Sequence, residues 1–150
     1  MDLQSERLRI IPCTKDLVAN VADRYKIGPH IPLYLAQLQE DPSQLGWGVW
    51  FVIEKETNQL IGDIGFKGKP DMEGTVEVGY GFIPSAQKKG YATEAVHEII
   101  QWAFTSEEVQ KVIAECYHDN FPSIRVLEKL NMKNVEIEEN LLKWELRKSC

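Results

Sequence analysis

The residues Gln87-Lys88-Lys89-Gly90-Tyr91-Ala92 have the types and the order needed to hold an anion. Around and after them Ala92, Ala95, Val96, Ile99, Ile100 and Ala103 recur at i, i+3, i+4 and i+7, with Glu94, His97, Glu98 and Gln101 on the other face, which predicts an amphipathic helix. The first turn of such a helix carries backbone N–H groups without intrahelical partners and roughly half a positive charge. Gly90 and Ala92 let a ligand approach that backbone closely, and Lys88 and Lys89 add charge at its rim. A phosphate or diphosphate is therefore expected over Lys88, Lys89, Gly90, Tyr91, Ala92 and Thr93. Two common phosphate motifs do not fit. Tyr91 stands where a Walker loop needs the Lys-Ser/Thr pair after its last glycine. Gly79 and Gly81 fall too early for a dinucleotide fingerprint, and Pro84 occupies the place of its third glycine.

A second block, Lys111 to Met132, reads as a strand, then Asn120-Phe121-Pro122-Ser123, then a helix that breaks at Asn131. Pro122 suits a first helical turn, where its missing N–H costs nothing, and Asn131 suits the left-handed position just past a helix end. The spacing Gln87-x-x-Gly90-x-Ala92, with the strand end Phe82-Ile83-Pro84 before it, resembles the acetyl-CoA-binding motif of the GNAT N-acetyltransferases. The block from Asn120 through Glu128-Lys129-Leu130 resembles that family's downstream segment, with Asn131-Met132 in place of Gly-Phe. Together with the opening Glu6-Arg7-Leu8-Arg9-Ile10 strand, the likeness covers nearly the whole chain and is nearest to the branch of ribosomal-protein N-terminal acetyltransferases (RimJ/RimL-like).

The resemblance implies acetyl transfer from a thioester to a primary amine, at a protein or peptide N-terminus or on a small molecule, with acetyl-CoA as cosubstrate and no metal. It implies that backbone groups of Phe82 and Ile83 bind the pantetheine amides, with the Phe82 N–H available to the thioester oxygen. Gln87 and the amides that follow it, Asn120 and Ser123 would complete the coenzyme site. Glycine inside a strand marks a bulge or a close backbone approach, which fits Gly79 and Gly81; the alternative is that they make room for Trp47, Trp50 or Trp102. Glu77 is the candidate base, in a place where many relatives carry a catalytic or water-relaying glutamate, and a structural carboxylate is the alternative. Ser123 is the candidate acid for the departing thiolate. Many relatives use a tyrosine four residues further on, where this chain has Leu127, so Tyr117 and His118 are held as alternatives.

No histidine–carboxylate pair is apparent along the chain; His97 falls on an outer helix face and His30 in a loop. An α-amino group is roughly a quarter neutral at physiological pH and a lysine side chain only about a thousandth, so a weak base favours α-amines or small-molecule amines. Two other function classes use the same residues: an acyl-CoA-binding or sensing domain without turnover, and a nucleotide-binding module built on the same loop.

These groups need a frame, and 150 residues with 43% apolar and 27% charged content suit one soluble domain spanning residues 1–150. No run is long and apolar enough for a membrane span, and the polar start lacks a signal peptide's apolar core. Cys13, Cys116 and Cys150 are an odd set without metal spacing, which favours reduced thiols and a cytoplasmic location. A net charge of −6 argues against nucleic acid as the main partner and is compatible with a cationic substrate.

Alternating runs predict strands at 6–12, 47–54, 60–67, 75–83, 111–118, 132–138 and 142–148. Helices are expected from Thr14 through Tyr25, from Pro32 to before Pro42, after Gly90 and after Asn120. The fold class is α+β: a mixed, mostly antiparallel seven-stranded sheet with about four helices, agreeing with the GNAT fold. One strand–helix–strand crossover between residues 75 and 118 should be parallel. The last hairpin leaves an edge through which two copies could pair as a homodimer.

Overall fold

The computed structural model describes residues 1–149; Cys150 lies outside them. The elements are β1 (Leu3–Gln4), β2 (Leu8–Pro12), α1 (Lys15–Val21), α2 (His30–Glu40), β3 (Val49–Glu54), β4 (Gln59–Phe66), β5 (Thr75–Phe82), α3 (Tyr91–Phe104), β6 (Lys111–Tyr117), α4 (Phe121–Lys129), β7 (Lys133–Glu138) and β8 (Leu141–Arg147). They form one sheet in the order β1-β2-β3-β4-β5-β6-β8-β7, antiparallel except where β5 meets β6. The sheet thus has eight strands rather than seven. The extra one is the two-residue β1, registered Leu3 to Ile10, which is too short to show any alternation.

Local chemistry explains the helix ends. The Thr14 side chain accepts the Leu17 N–H at 3.2 Å and starts α1. That helix closes at Val21, and beyond it the Arg24 and Tyr25 N–H groups both donate to Val21 O in a last turn. Helix α2 begins at His30, two residues before Pro32; the proline falls in the first turn, where its missing N–H removes no bond. Asn131 has φ +65°, and the bonds Asn131 N–H to Glu128 O and Met132 N–H to Leu127 O close α4 in a Schellman motif.

Two cores lie on the two faces of the sheet. One packs α3 and α4 against Leu8, Trp50, Ile64, Val78, Val112 and Trp144; the other packs α1 and α2 against Ile11, Phe51 and Leu60. The stripe that α3 buries is Tyr91, Ala95, Val96, Ile99, Ile100 and Ala103, so Tyr91 takes the core place expected of Ala92. Beyond β8 the sheet ends on β7, exposed at every position, with Val135 and Ile137 alternating with Glu136 and Glu138.

Glu94, expected on the outer face of α3, is instead a tie between layers. It accepts bonds from the Ser5 hydroxyl, from the Arg7 N–H at 2.9 Å and from Arg7 Nε at 2.7 Å. Burial pushes its carboxyl up, but these donors win and hold it below the ordinary 4.5. A depressed carboxylate stabilises fully above its unfolded pKa and loses that contribution as pH falls through the folded one. Glu94→Gln should therefore cost about 1–3 kcal/mol at neutral pH, and urea denaturation should show the gap to wild type closing below pH 4.5.

Candidate active site

Strands β5 and β6 run side by side only from Thr75–Glu77 against Lys111–Ile113 and then part. The hydrogen bonds of β5 show what the parting exposes. Lys67 N–H donates to Glu77 O and Ile83 N–H to Ile61 O, both at 2.9 Å, so odd-numbered residues of this stretch face β4. Antiparallel pairing alternates, which turns the amides and carbonyls of Val78, Tyr80 and Phe82 toward the space that β6 has left.

Two cavities open into that wedge. One, of about 660 Å³, lies between β5, the start of α3 and α4, and is lined by Tyr80, Gly81, Phe82, Gln87, Lys88, Gly90 to Thr93, Asn120 and Ser123 among others. The second, of about 500 Å³, lies between α2, β4 and β5 and shares Tyr80 and Gly81 with the first. Both volumes are in the range of small-molecule sites.

In the larger cavity the loop Gln87–Ala92 leads into α3. Lys88 and Gly90 are left-handed, with φ +63° and +81°. The first bond of α3 is Glu94 N–H to Gly90 O at 3.1 Å, which leaves the N–H groups of Tyr91, Ala92 and Thr93 without an intrahelical acceptor. Lys88, Arg125 and Lys129 supply positive charge around it. The Gln87 side chain donates to Phe82 O at 2.9 Å and braces the strand end against the loop. Asn120 both lines the cavity and caps α4, accepting the Ser123 N–H at 3.3 Å.

A profile of the acetyltransferase (GNAT) domain matches residues 14–133. The chain belongs to the GNAT acetyltransferase family. The uncharacterized N-acetyltransferase YjdG of Bacillus subtilis is 36% identical over 100 residues, which is 67% of this chain and 60% of that one. The ribosomal-protein-serine acetyltransferase of Escherichia coli is 32% identical over 100 residues, 67% of this chain and 53% of that one. The chain thus spans a little over half the length of these curated relatives. Among solved structures, a ribosomal-protein α-N-acetyltransferase (RimL) in complex with coenzyme A superposes with a TM-score of 0.75 over 98% of both chains; at 13% identity the likeness is one of fold. The RimJ/RimL-like branch is thus represented among the relatives and the structural neighbours.

The GNAT frame gathers most of the residues singled out from the sequence, but not all. Ile83 lies off the cavity: its N–H is spent on Ile61 O and its side chain packs between the two cores. Lys89 is not in the cavity wall either. Glu77 lines neither cavity; its Oε2 sits 2.7 Å from Lys67 Nζ. Tyr117, the last residue of β6, and His118, in the turn after it, are both exposed and line neither cavity. Leu127 is buried in the core beneath α4. Gly79 and Gly81 do not make room for tryptophans, since a Cβ on either would meet no atom within 4 Å. Gly46 serves that purpose instead, lying against Trp102.

Several site residues escaped the sequence reading. Tyr80 stands in the walls of both cavities and shares the larger one with Ser123. Burial above all raises its phenol, Ser123 opposes the shift and Cys116 adds to it, so the hydroxyl stays protonated. Arg125 and Lys129, one helical turn apart on α4, carried the i, i+4 signal of a basic stripe. A histidine–carboxylate pair does exist: His30 Nε2 lies 2.7 Å from Asp63 Oδ1 in the smaller cavity, and the Tyr25 hydroxyl donates to Asp63 Oδ2 at 2.6 Å. The clue was an aspartate inside the apolar run Leu60-Ile61-Gly62-Asp63-Ile64-Gly65-Phe66. Among the described residues, no cluster of three or more histidine, cysteine or acidic side chains is placed to hold a metal, and no helix is long and apolar enough to cross a membrane.

Proposed function

We propose that this GNAT domain transfers the acetyl group of acetyl-CoA directly to a primary amine. The observation that carries the reading is the meeting of two cavities at Tyr80 and Gly81, one built for an anion and the other open to a second substrate. The larger one fits the coenzyme: its left-handed residues, free helix amides and three cations suit a diphosphate. The RimL neighbour's complex with coenzyme A supports the same occupant. When bound, acetyl-CoA supplies an activated thioester.

The chain's own groups then have distinct tasks. The Phe82 N–H, turned into the wedge, is available to charge developing on a carbonyl oxygen. Ser123 and Tyr80, both in the wall of the larger cavity, are hydroxyls that can offer a proton to a leaving thiolate. Glu77, the base candidate read from the sequence, is paired with Lys67 at 2.7 Å and lies outside the lining of both cavities. Burial pushes the Cys13 thiol up to about 12, with Asp63 adding to the effect, and burial also raises Cys116. Neither is a thiolate nucleophile, which supports direct transfer over an acyl-cysteine route.

The smaller cavity bears on the amine. Leu33, Tyr34, Trp47, Ile64 and Phe66 give it apolar walls, and among the described residues Asp63 is the one carboxylate in its lining. A polyamine would need several such charges. We therefore favour an amine on a single apolar body, whether a peptide α-amine or a small molecule.

The test is a panel of peptide, arylalkyl and polyamine acceptors with acetyl-CoA, read by release of free CoA thiol and product mass. Apolar monoamines should outpace spermidine. Silence across the panel, with coenzyme A still stabilising the fold by about 2–3 kcal/mol at a hundredfold excess over Kd, would replace this reading with an acyl-CoA-sensing domain.

A further inference from the structure

The smaller cavity contains an assembly with a chemistry of its own. His30, the first residue of α2, turns Nε2 to Asp63 Oδ1, and Tyr25 caps the other oxygen of the same carboxylate. Asp63 is mostly covered, with its side chain 15% exposed, whereas His30 is 55% exposed and lines the cavity. Burial, then the hydrogen bond and the charge of Asp63, raise the Tyr25 hydroxyl, which therefore remains a donor. Both carboxylate oxygens are thus occupied by donors, and the aspartate is placed to hold the imidazole rather than to take a proton itself. With Nε2–H engaged, the free lone pair of the ring is on Nδ1.

Two glycines bear on that arrangement. The ring lies beside Gly28, where a Cβ would come 2.7 Å from His30 Cε1 and 2.8 Å from Nδ1, so any side chain there would push the imidazole off Asp63. Asp63 is directly opposite Gly81 in the β4–β5 register, next to Phe82, and a Cβ on Gly81 would meet nothing within 4 Å. His30 and Asp63 thus line the same cavity as Tyr80 and Gly81, where the two cavities meet.

We propose that His30, oriented by Asp63 and Tyr25, is the group that takes the proton from the acceptor ammonium. The inference rests on the acetyltransferase reading above and assigns the base within it. His30 Nδ1 accepts one proton from R–NH3+ and passes it to solvent. The freed lone pair forms the C–N bond at the thioester carbon, the C–S bond breaks, and the second nitrogen proton leaves as the thiolate is protonated. The sum is ammonium plus acetyl thioester giving amide, thiol and one released proton. An engaged base of this kind removes the restriction to weakly basic amines that the sequence alone suggested. Glu77, tied to Lys67 outside both cavities, is the less suitable partner for that proton.

The test compares wild type, His30→Ala, Asp63→Asn and Glu77→Gln with the best amine of the panel. His30→Ala should lose about 100-fold in kcat, keep its thermal stabilisation by coenzyme A, and recover activity in added imidazole. Independently of turnover, 15N-resolved imidazole spectra of the wild type should show His30 as the Nε2–H tautomer, a preference that Asp63→Asn removes. His30→Ala at wild-type rate, a loss confined to Glu77→Gln, or an Nδ1–H tautomer for His30 would each overturn the assignment while leaving acetyl transfer intact. A wild type that turns over no amine would overturn both.

Discussion

Gly90→Glu is expected to weaken coenzyme A binding by about 100-fold or more, measured by titration calorimetry on the purified protein. Gly90 holds φ +81° as the residue that opens α3, a conformation that costs an ordinary residue about 1–2 kcal/mol. Space is not the obstacle, because a Cβ there comes no nearer than 3.4 Å, to the end of the Arg7 side chain. The obstacle is backbone strain joined to charge. A carboxylate within reach of the helix amides repels a diphosphate by about 4 kcal/mol at 4 Å for an effective dielectric of 20. Since about 1.4 kcal/mol is a tenfold change, even half of that repulsion combined with partial loss of the loop conformation reaches the stated size. Gly90→Asn should be far milder, since asparagine tolerates the left-handed region. A dissociation constant within threefold of wild type for the glutamate variant would remove this loop from the coenzyme site.

Gly65→Ala should be among the most destabilising single-methyl changes in the chain. Its Cβ would fall 1.9 Å from Gly48 O and 2.8 Å from Gly48 C, which are backbone atoms held by the Phe66 N–H to Gly48 O bond of 3.0 Å. No rotamer relieves such a contact, so β3 and β4 must separate beneath the smaller cavity. Overpacking of a core usually costs about 1–3 kcal/mol, and a backbone clash belongs at or above the top of that range. For a domain of this size the thermal midpoint should fall by about 6–12 °C. Gly79→Ala makes the informative contrast, because its Cβ would project into open cleft; it should leave the melting temperature nearly alone and act on substrate binding. Equal melting temperatures for the Gly65 variant and wild type would contradict the strand contact described above.

What could be read from the sequence was local. The Gln87–Ala92 loop, the α3 stripe, the Thr14 cap and the Asn131 break each depend on residues a few positions apart, and each is present. The parallel crossover followed from a helix lying between two apolar strands. What could not be read depends on pairing across long separations. His30 meets Asp63 over 33 residues and Ser5 meets Glu94 over 89, and no periodicity encodes either contact. Tyr80 looked like one more strand residue until the divergence of β5 and β6 put it in two cavities at once. The Ile83 and Phe82 amides differ only in parity. One is bonded to β4 and the other faces the wedge, a distinction that exists only once register is known.

Trp102 packs against Trp47 and Trp50 with ring centroids 4.6 and 5.2 Å apart, and Trp47 is also part of the wall of the smaller cavity. Indoles that close exchange excitation with one another, so a disturbance at one is registered by all three. The fourth, Trp144, lies on β8 opposite Ala114, buried in the core that also holds α3 and α4. Filling of the smaller cavity is therefore expected to change the intrinsic tryptophan emission, so that occupancy there could be followed in a fluorimeter without any attached dye.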